Sequence, residues 1–216
     1  MVNIFIAFML PKETSSDMDK VADDVKELFK PDGKEEKFFH CTLLFIGRIA
    51  EECIPFIQEK MNSIAVIQKP ITIKIDDTGY FYSTKKDRIK VLYAKPSVMP
   101  TALTELCTML YDTIGKPLEG KTTPPINPAS IHFTITKRLK RKLSRDDFES
   151  IKTKVKHFNI PVAIDNIGLY YCKDAEHRYY REISRCDLKG TDRDCLSDNP
   201  FFVLHSQREA IFYAVY

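Results

Sequence analysis

The sequence has no apolar run long enough to cross a bilayer. Its longest, from Ile4 to Leu10, falls far short of the roughly 20 residues that a spanning helix needs. No basic stretch precedes that run and no small-residue cleavage site follows it, so it does not read as a signal peptide. No membrane partner is expected. An excess of one charge is also missing. Thirty-three Lys and Arg stand against 30 Asp and Glu, a formal net charge of only +3. The bulk balance therefore argues for no partner, and anion binding has to come from local clusters. Glycine is scarce, at seven residues, and no low-complexity segment occurs. The six cysteines are Cys41, Cys53, Cys107, Cys172, Cys186 and Cys195, and none forms a CxxC pair. Without a secretion signal this reads as a reducing, cytoplasmic setting with free thiols, no disulfides and no cysteine-held zinc.

What is present is ordinary globular composition, 44% hydrophobic and 29% charged over 216 residues. A chain of this size buries roughly 70% of its unfolded surface. The first strand is read at Asn3–Leu10 and is closed by Pro11. A helix then places Met18, Val21, Val25, Leu28 and Phe29 at helical spacing. An alternating strand covers Phe38–Ile46, and a second helix carries Ile54, Ile57, Met61 and Ile64. Ile71, Ile73 and Ile75 alternate with polar residues as a half-buried strand. Tyr80–Tyr82 and Ile89–Tyr93 read as a hairpin around Lys85-Lys86-Asp87. The second half follows the same grammar. Its first helix carries Leu103, Leu106, Cys107, Leu110 and Ile114, and a strand covers Ile131–Thr136. Ser144 and Asp147 suggest a capping box. The helix they open has Phe148, Ile151, Val155 and Phe158 on one stripe, before strands near Val162–Tyr171 and Arg178–Ser184. Such strand-rich halves predict an α+β protein with two facing antiparallel sheets, a groove between them and helices outside. The loop from Gly115 to Asn127 is the expected seam. Residues 1–188 form the expected domain, and residues 189–216 a C-terminal extension without assigned role.

The middle strand of each half contains one tripeptide pattern, His40-Cys41-Thr42 and His132-Phe133-Thr134, each followed by an apolar residue. Strand side chains alternate, so histidine and threonine share a face, roughly 7 Å apart at the backbone. A lone His-x-Thr is usually an ordinary polar strand face. Two copies in equivalent strands are a different matter: Ile71 lies 31 residues after His40, and Pro161 lies 29 after His132. Histidine titrates near neutrality, so one can be neutral and the other protonated. The neutral one deprotonates an attacking hydroxyl, and the protonated one gives its proton to the leaving oxygen. Threonine hydroxyls hydrogen-bond the nonbridging oxygens and hold a phosphate for in-line attack. The design calls for no metal and no cofactor.

These residues resemble the two-histidine (2H) phosphoesterases. The likeness rests on His40-Cys41-Thr42-Leu43 and His132-Phe133-Thr134-Ile135, on the opening Ile4-Phe5-Ile6-Ala7-Phe8-Met9-Leu10-Pro11, and on Gly168-Leu169-Tyr170 with Tyr180 and Ile183; it spans about residues 3–187. The resemblance implies a bilobal pseudo-twofold fold and metal-independent cleavage of a phosphodiester at a ribose 2′ position. His40 and His132 are then base and acid, in an order left open, and Thr42 and Thr134 position the phosphate. By the same likeness Tyr180 is a substrate-side residue.

Tyr82 lies in an aromatic strand segment able to stack a base. Lys137 and Arg138 open a basic run that either attracts a polyanion or is a solvated loop before the capped helix. The expected partner is a nucleotide: 2′-5′ oligoadenylate, a cyclic dinucleotide with a 2′-5′ bond such as cyclic GMP-AMP, a 2′,3′-cyclic phosphate at an RNA end, or ADP-ribose 1″,2″-cyclic phosphate. The first two are immune messengers, and family members that destroy such messengers occur in viruses. The rich Lys, Ile and Tyr content fits an AT-rich coding genome such as that of a large DNA virus, which would place the protein in host cytoplasm. An immune messenger is the leading expectation, and a monomer is expected. The alternatives are an RNA-end processing enzyme and a noncatalytic nucleotide- or RNA-binding module of the same fold.

Overall fold

The computed structural model describes residues 1–29, 34–35, 38–122, 127–128, 131–137, 143–155, 157–172 and 180–191. Strand β1 (Val2–Met9) leads into helix α1 (Lys12–Phe29), the two-residue strand β2 (Lys34–Glu35) and the long strand β3 (His40–Ile49). Next come α2 (Ile54–Ile67), β4 (Ile71–Ile75), β5 (Asp77–Ser83) and β6 (Arg88–Lys95). The remainder is α3 (Thr101–Leu110), β7 (Asn127–Pro128), β8 (Phe133–Lys137), α4 (Arg145–Lys152), β9 (Ile160–Ile164), β10 (Asn166–Cys172) and β11 (Tyr180–Asp187).

Local chemistry accounts for most of these elements. α1 buries Met18, Val21, Ala22, Val25 and Phe29, the three-and-four spacing of one helical face. The box that opens α4 is reciprocal: the Asp147 amide donates to Ser144 Oγ at 3.1 Å, and the Ser144 amide donates to Asp147 Oδ2 at 3.0 Å. Two of the helix's orphan groups are thereby satisfied. α4 ends at Lys152, so Val155 and Phe158 extend its apolar stripe from the following turn and loop. Strands β4 and β9 share one burial rhythm, every second residue buried, as a strand with one covered face requires.

Among the described residues, a large antiparallel sheet has the order β11-β10-β1-β3-β8-β6-β5, with β2 paired to β8 and β7 to β3; a second sheet pairs β4 with β9. The fold is α+β. The large sheet consists of two halves, β11-β10-β1-β3 and β8-β6-β5, joined at the single register pair Cys41–Phe133. That junction and the β4–β9 pair each join equivalent strands in antiparallel register, as a twofold relation between the halves requires.

Strand order also sets the phase of the repeat. β1 lies beside β3 as β6 lies beside β8, and β10 lies outside β1 as β5 lies outside β6. The repeating unit is therefore β1-α1-β2-β3-α2-β4-β5, matched by β6-α3-β7-β8-α4-β9-β10, with β11 added at an edge. The loop expected as the seam spans Gly115–Asn127, of which residues 123–126 lie outside the described residues. That loop falls inside the second unit, and the units exchange their last strands across the halves. Past β11, the amides of Lys189, Gly190 and Thr191 donate to the carbonyls of Ala65, Gln68 and Val66 at the end of α2. The rest of the expected extension, residues 192–216, lies outside the described residues.

Candidate active site

The junction of the halves assembles the motif. Cys41 opposite Phe133 is the register pair between β3 and β8 among the described residues; antiparallel continuation from it directs His40 toward Thr134 and Thr42 toward His132. Cys41 and Phe133 are 0% exposed, so they face the core. The four motif residues are half-buried on the opposite face. Burial and the core-side location of neighbouring Cys107 raise the Cys41 thiol pKa, although the backbone amide of His132 favours the thiolate. Cys41 is thus a packing residue and no nucleophile.

Each motif is followed by a bulge at the same place. Pairing with β1 passes from Leu44 to Thr42 and skips Leu43; pairing with β6 passes from Thr136 to Thr134 and skips Ile135. A bulge resets the side-chain alternation. As a result Lys137, five residues after His132, pairs with Val91, which pairs with Phe81. The Phe81 ring meets the His132 ring edge-on at 4.7 Å, so Lys137 belongs to the histidine face.

Both imidazoles sit among aromatic rings. His40 lies 4.8 Å from the Tyr180 ring and 5.6 Å from Phe5. His132 lies 4.7 Å from Phe81 and 5.1 Å from Tyr93. His40 Nδ1 is 3.1 Å from the carbonyl oxygen of Phe38. A carbonyl only accepts, so Nδ1 carries the hydrogen and Nε2 is the nitrogen left for chemistry. Two glycines make room for these rings. A Cβ on Gly79 would lie 2.5 Å from the Tyr93 ring, and one on Gly168 would lie 2.5 Å from the Tyr170 ring.

Of the residues singled out in the sequence, His40, Thr42, His132, Thr134, Tyr180 and Lys137 therefore share one face. Tyr82 does not join them, a correction to the expected base-stacking role. Its ring lies under the Arg145 guanidinium at 4.3 Å and its hydroxyl donates to the Asp87 carboxylate. It pairs with the core residue Ile89 across another bulge, on the helix side of β5. Phe81 occupies the histidine side instead. Arg138 lies outside the described residues. Phe5, Tyr93 and Tyr170 are groove residues that the sequence reading misses. One signal points to them: Gly79-Tyr80-Phe81 and Gly168-Leu169-Tyr170 repeat a Gly-x-aromatic pattern in equivalent strands.

A cleft of about 520 Å³ opens beside His40, with Met9, Phe38, Phe39, Tyr170 and Tyr180 as walls and Lys12, Ser15 and Glu182 as its polar groups. Among the described residues no group of three or more His, Cys, Asp or Glu is placed to hold a metal ion. Among them, too, no helix is long and apolar enough to cross a membrane.

Residues 9–93, which include the first motif, match the family described as LigT like Phosphoesterase. No curated protein sequence matches the chain significantly. Among solved structures, a protein of Thermus thermophilus has a TM-score of 0.70 at 20% identity, over 88% of this chain and 100% of that one. Escherichia coli LigT in its apo form has a TM-score of 0.65 at 19% identity, over 87% of this chain and 97% of its own. The MHV ns2 PDE domain has a TM-score of 0.50 at 14% identity, over 78% of this chain and 99% of its own.

Proposed function

We propose that the chain is a two-histidine phosphoesterase, a reading supported by its family match over residues 9–93 and by its fold, and that it is a phosphodiesterase acting on 2′-linked nucleotides, with a 2′-5′-linked immune messenger as its substrate. The observation that carries this reading is the register pair Cys41–Phe133, which joins the two His-x-Thr motifs at one junction with their histidines and threonines on the same face.

A phosphorus centre held over that face has a histidine on either side. The neutral imidazole takes the proton of the attacking water or ribose hydroxyl, while the imidazolium protonates the departing oxygen. The Thr42 and Thr134 hydroxyls hold the nonbridging oxygens, and the carbonyl of Phe38 keeps His40 in the tautomer that presents Nε2. Lys137 offers the positive charge on the His132 side. Nucleotide recognition is supported by structures of E. coli LigT complexed with 3'-AMP, NADP+ and ATP. The MHV ns2 PDE domain, by its description a phosphodiesterase domain, supports phosphodiester chemistry on this fold.

The test is a panel of 2′-5′ and 3′-5′ linked oligoadenylates, cyclic GMP-AMP isomers and 2′,3′-cyclic phosphates, incubated with purified protein and a chelator. Expected is turnover of 2′-linked compounds that survives the chelator and disappears in His40→Ala and His132→Ala. Binding without turnover would identify a noncatalytic module. Turnover of RNA 2′,3′-cyclic ends alone would move the substrate away from messengers.

A further inference from the structure

The cleft beside His40 is more specific than a general nucleotide groove. It has a carboxylate, and among the described residues that carboxylate is only half engaged. Glu182 Oε2 accepts from the Tyr170 hydroxyl at 3.0 Å and from Arg185 Nε and Nη2 at 3.2 and 2.7 Å. Those donors converge on one oxygen. They hold the side chain on the cleft wall, and its partner Oε1 receives none of them. The Glu182 side chain is 37% exposed. A bulge in β11 at Ile183 fixes this placement: Glu182 pairs with Tyr170 and Arg185 with Gly168, so both stand on the histidine face.

The other walls suit a flat ring. Tyr180 lines the cleft and touches the His40 ring. Phe38 is 57% exposed at the cleft, and its carbonyl is the one that holds His40 Nδ1. Aromatic faces at a nucleotide site stack bases, each worth about 1–3 kcal/mol on removal. The volume lies within the range of roughly 300–1,000 Å³ typical of small-molecule sites. A carboxylate oxygen only accepts, so whatever meets Oε1 must donate.

We propose that this cleft binds a nucleobase carrying an exocyclic amino group and that Glu182 Oε1 accepts from that group. Adenine, guanine and cytosine carry such groups, and uracil does not. The sugar of that nucleotide then leads toward His40 and its phosphate toward the His-Thr face. This rests on the phosphodiesterase reading for its link to turnover, but not for binding.

The experiment deletes one amino group at a time from the ligand. Adenosine is compared with purine riboside, and guanosine with inosine, both as 5′-monophosphates in calorimetry and within 2′-5′-linked dinucleotides in turnover. A hydrogen bond to a charged group is worth roughly 1.5–3 kcal/mol, so for the preferred base the deletion should cost about tenfold or more in Kd and in kcat/KM. In Glu182→Gln that ratio should shrink severalfold, and in Glu182→Ala it should fall to near one. A thermal melt of each variant separates loss of the ratio from loss of the fold. A purely structural Glu182 would lower all ligands alike and leave the ratio intact, which overturns the proposal. If no 2′-5′-linked dinucleotide is cleaved yet the binding ratio behaves as stated, the catalytic reading fails and the cleft assignment stands. If turnover occurs with ratios near one in the wild type, the cleft assignment fails and the catalytic reading stands.

Discussion

The two half-sheets present the same chemistry in different surroundings. In each, a His-x-Thr motif is followed by a bulge and bordered by aromatic rings set over a glycine. Beside Thr42 the neighbouring positions are Ala7 and then Gly168, and Tyr170 reaches over from two residues along β10. Beside Thr134 they are Tyr93 and then Gly79, so the ring comes from the adjacent strand. At the position after the bulge, the first half has Phe45, packed against the buried cluster of Phe5, Ala7, Tyr170 and Cys172, and the second has Lys137. The His40 side is thus an aromatic cleft with a carboxylate, while the His132 side has a cation. A twofold frame sets the two histidines in matched positions, and the departures from symmetry make the two ends of the groove chemically different.

The largest effect should come from the symmetric part. His40→Ala and His132→Ala should each lower kcat by about 10²–10⁴, and the double variant should lose little more than either single one, because the two act as a unit. The wild-type rate should be bell-shaped in pH, and each single variant should lose one limb. A profile unchanged by either substitution would break the equivalence of the two halves.

Next are the glycines. Gly79→Ala and Gly168→Ala each force a Cβ into a tyrosine ring. Each should cost about 1–3 kcal/mol of stability in denaturant titration, as overpacking does, and should disturb the histidine of its own half. Unequal loss would show which ring is the firmer support. Smaller is the asymmetric charge. Lys137→Ala should raise KM about tenfold and flatten its dependence on salt, while Phe45→Leu, at the equivalent position, should leave the salt response unchanged.

The smallest effect concerns the buried thiols behind the motif. Burial pushes the Cys107 pKa from its ordinary value of 9.0 up to about 12 and raises that of Cys41 as well. Neither thiol should react with an alkylating reagent at pH 8 until the protein unfolds. Because the folded pKa is raised, the associated stability is fully present below about pH 9 and is lost as pH climbs through about 12. Denaturation midpoints measured from pH 7 to 10 should fall only in the upper part of that range.

Much of this arrangement is legible along the chain because it depends on local rules. Alternation puts His40 with Thr42 and His132 with Thr134 on common faces whatever the fold, since a strand repeats every two residues. The stripe in α1 and the Ser144–Asp147 box follow from helix geometry in the same way. Tyr82 shows where local rules end. Its neighbour Phe81 reaches His132, but a bulge between them and the contact with Arg145 set Tyr82 against α4, and neither is encoded within the strand itself. Lys137 shows the converse, because strict alternation from His132 would turn it away from the groove and the skipped Ile135 turns it back.

The residue types, their face-sharing and the twice-used strand-and-helix order are thus properties of the linear chain. Which residues oppose one another across the junction, where the strands bulge, and which half becomes the aromatic cleft were settled only when the chain closed on itself. Register at Cys41–Phe133 joins positions ninety-two residues apart. It is selected by the summed burial of the whole core, β4–β9 included, and no short stretch of sequence contains that sum.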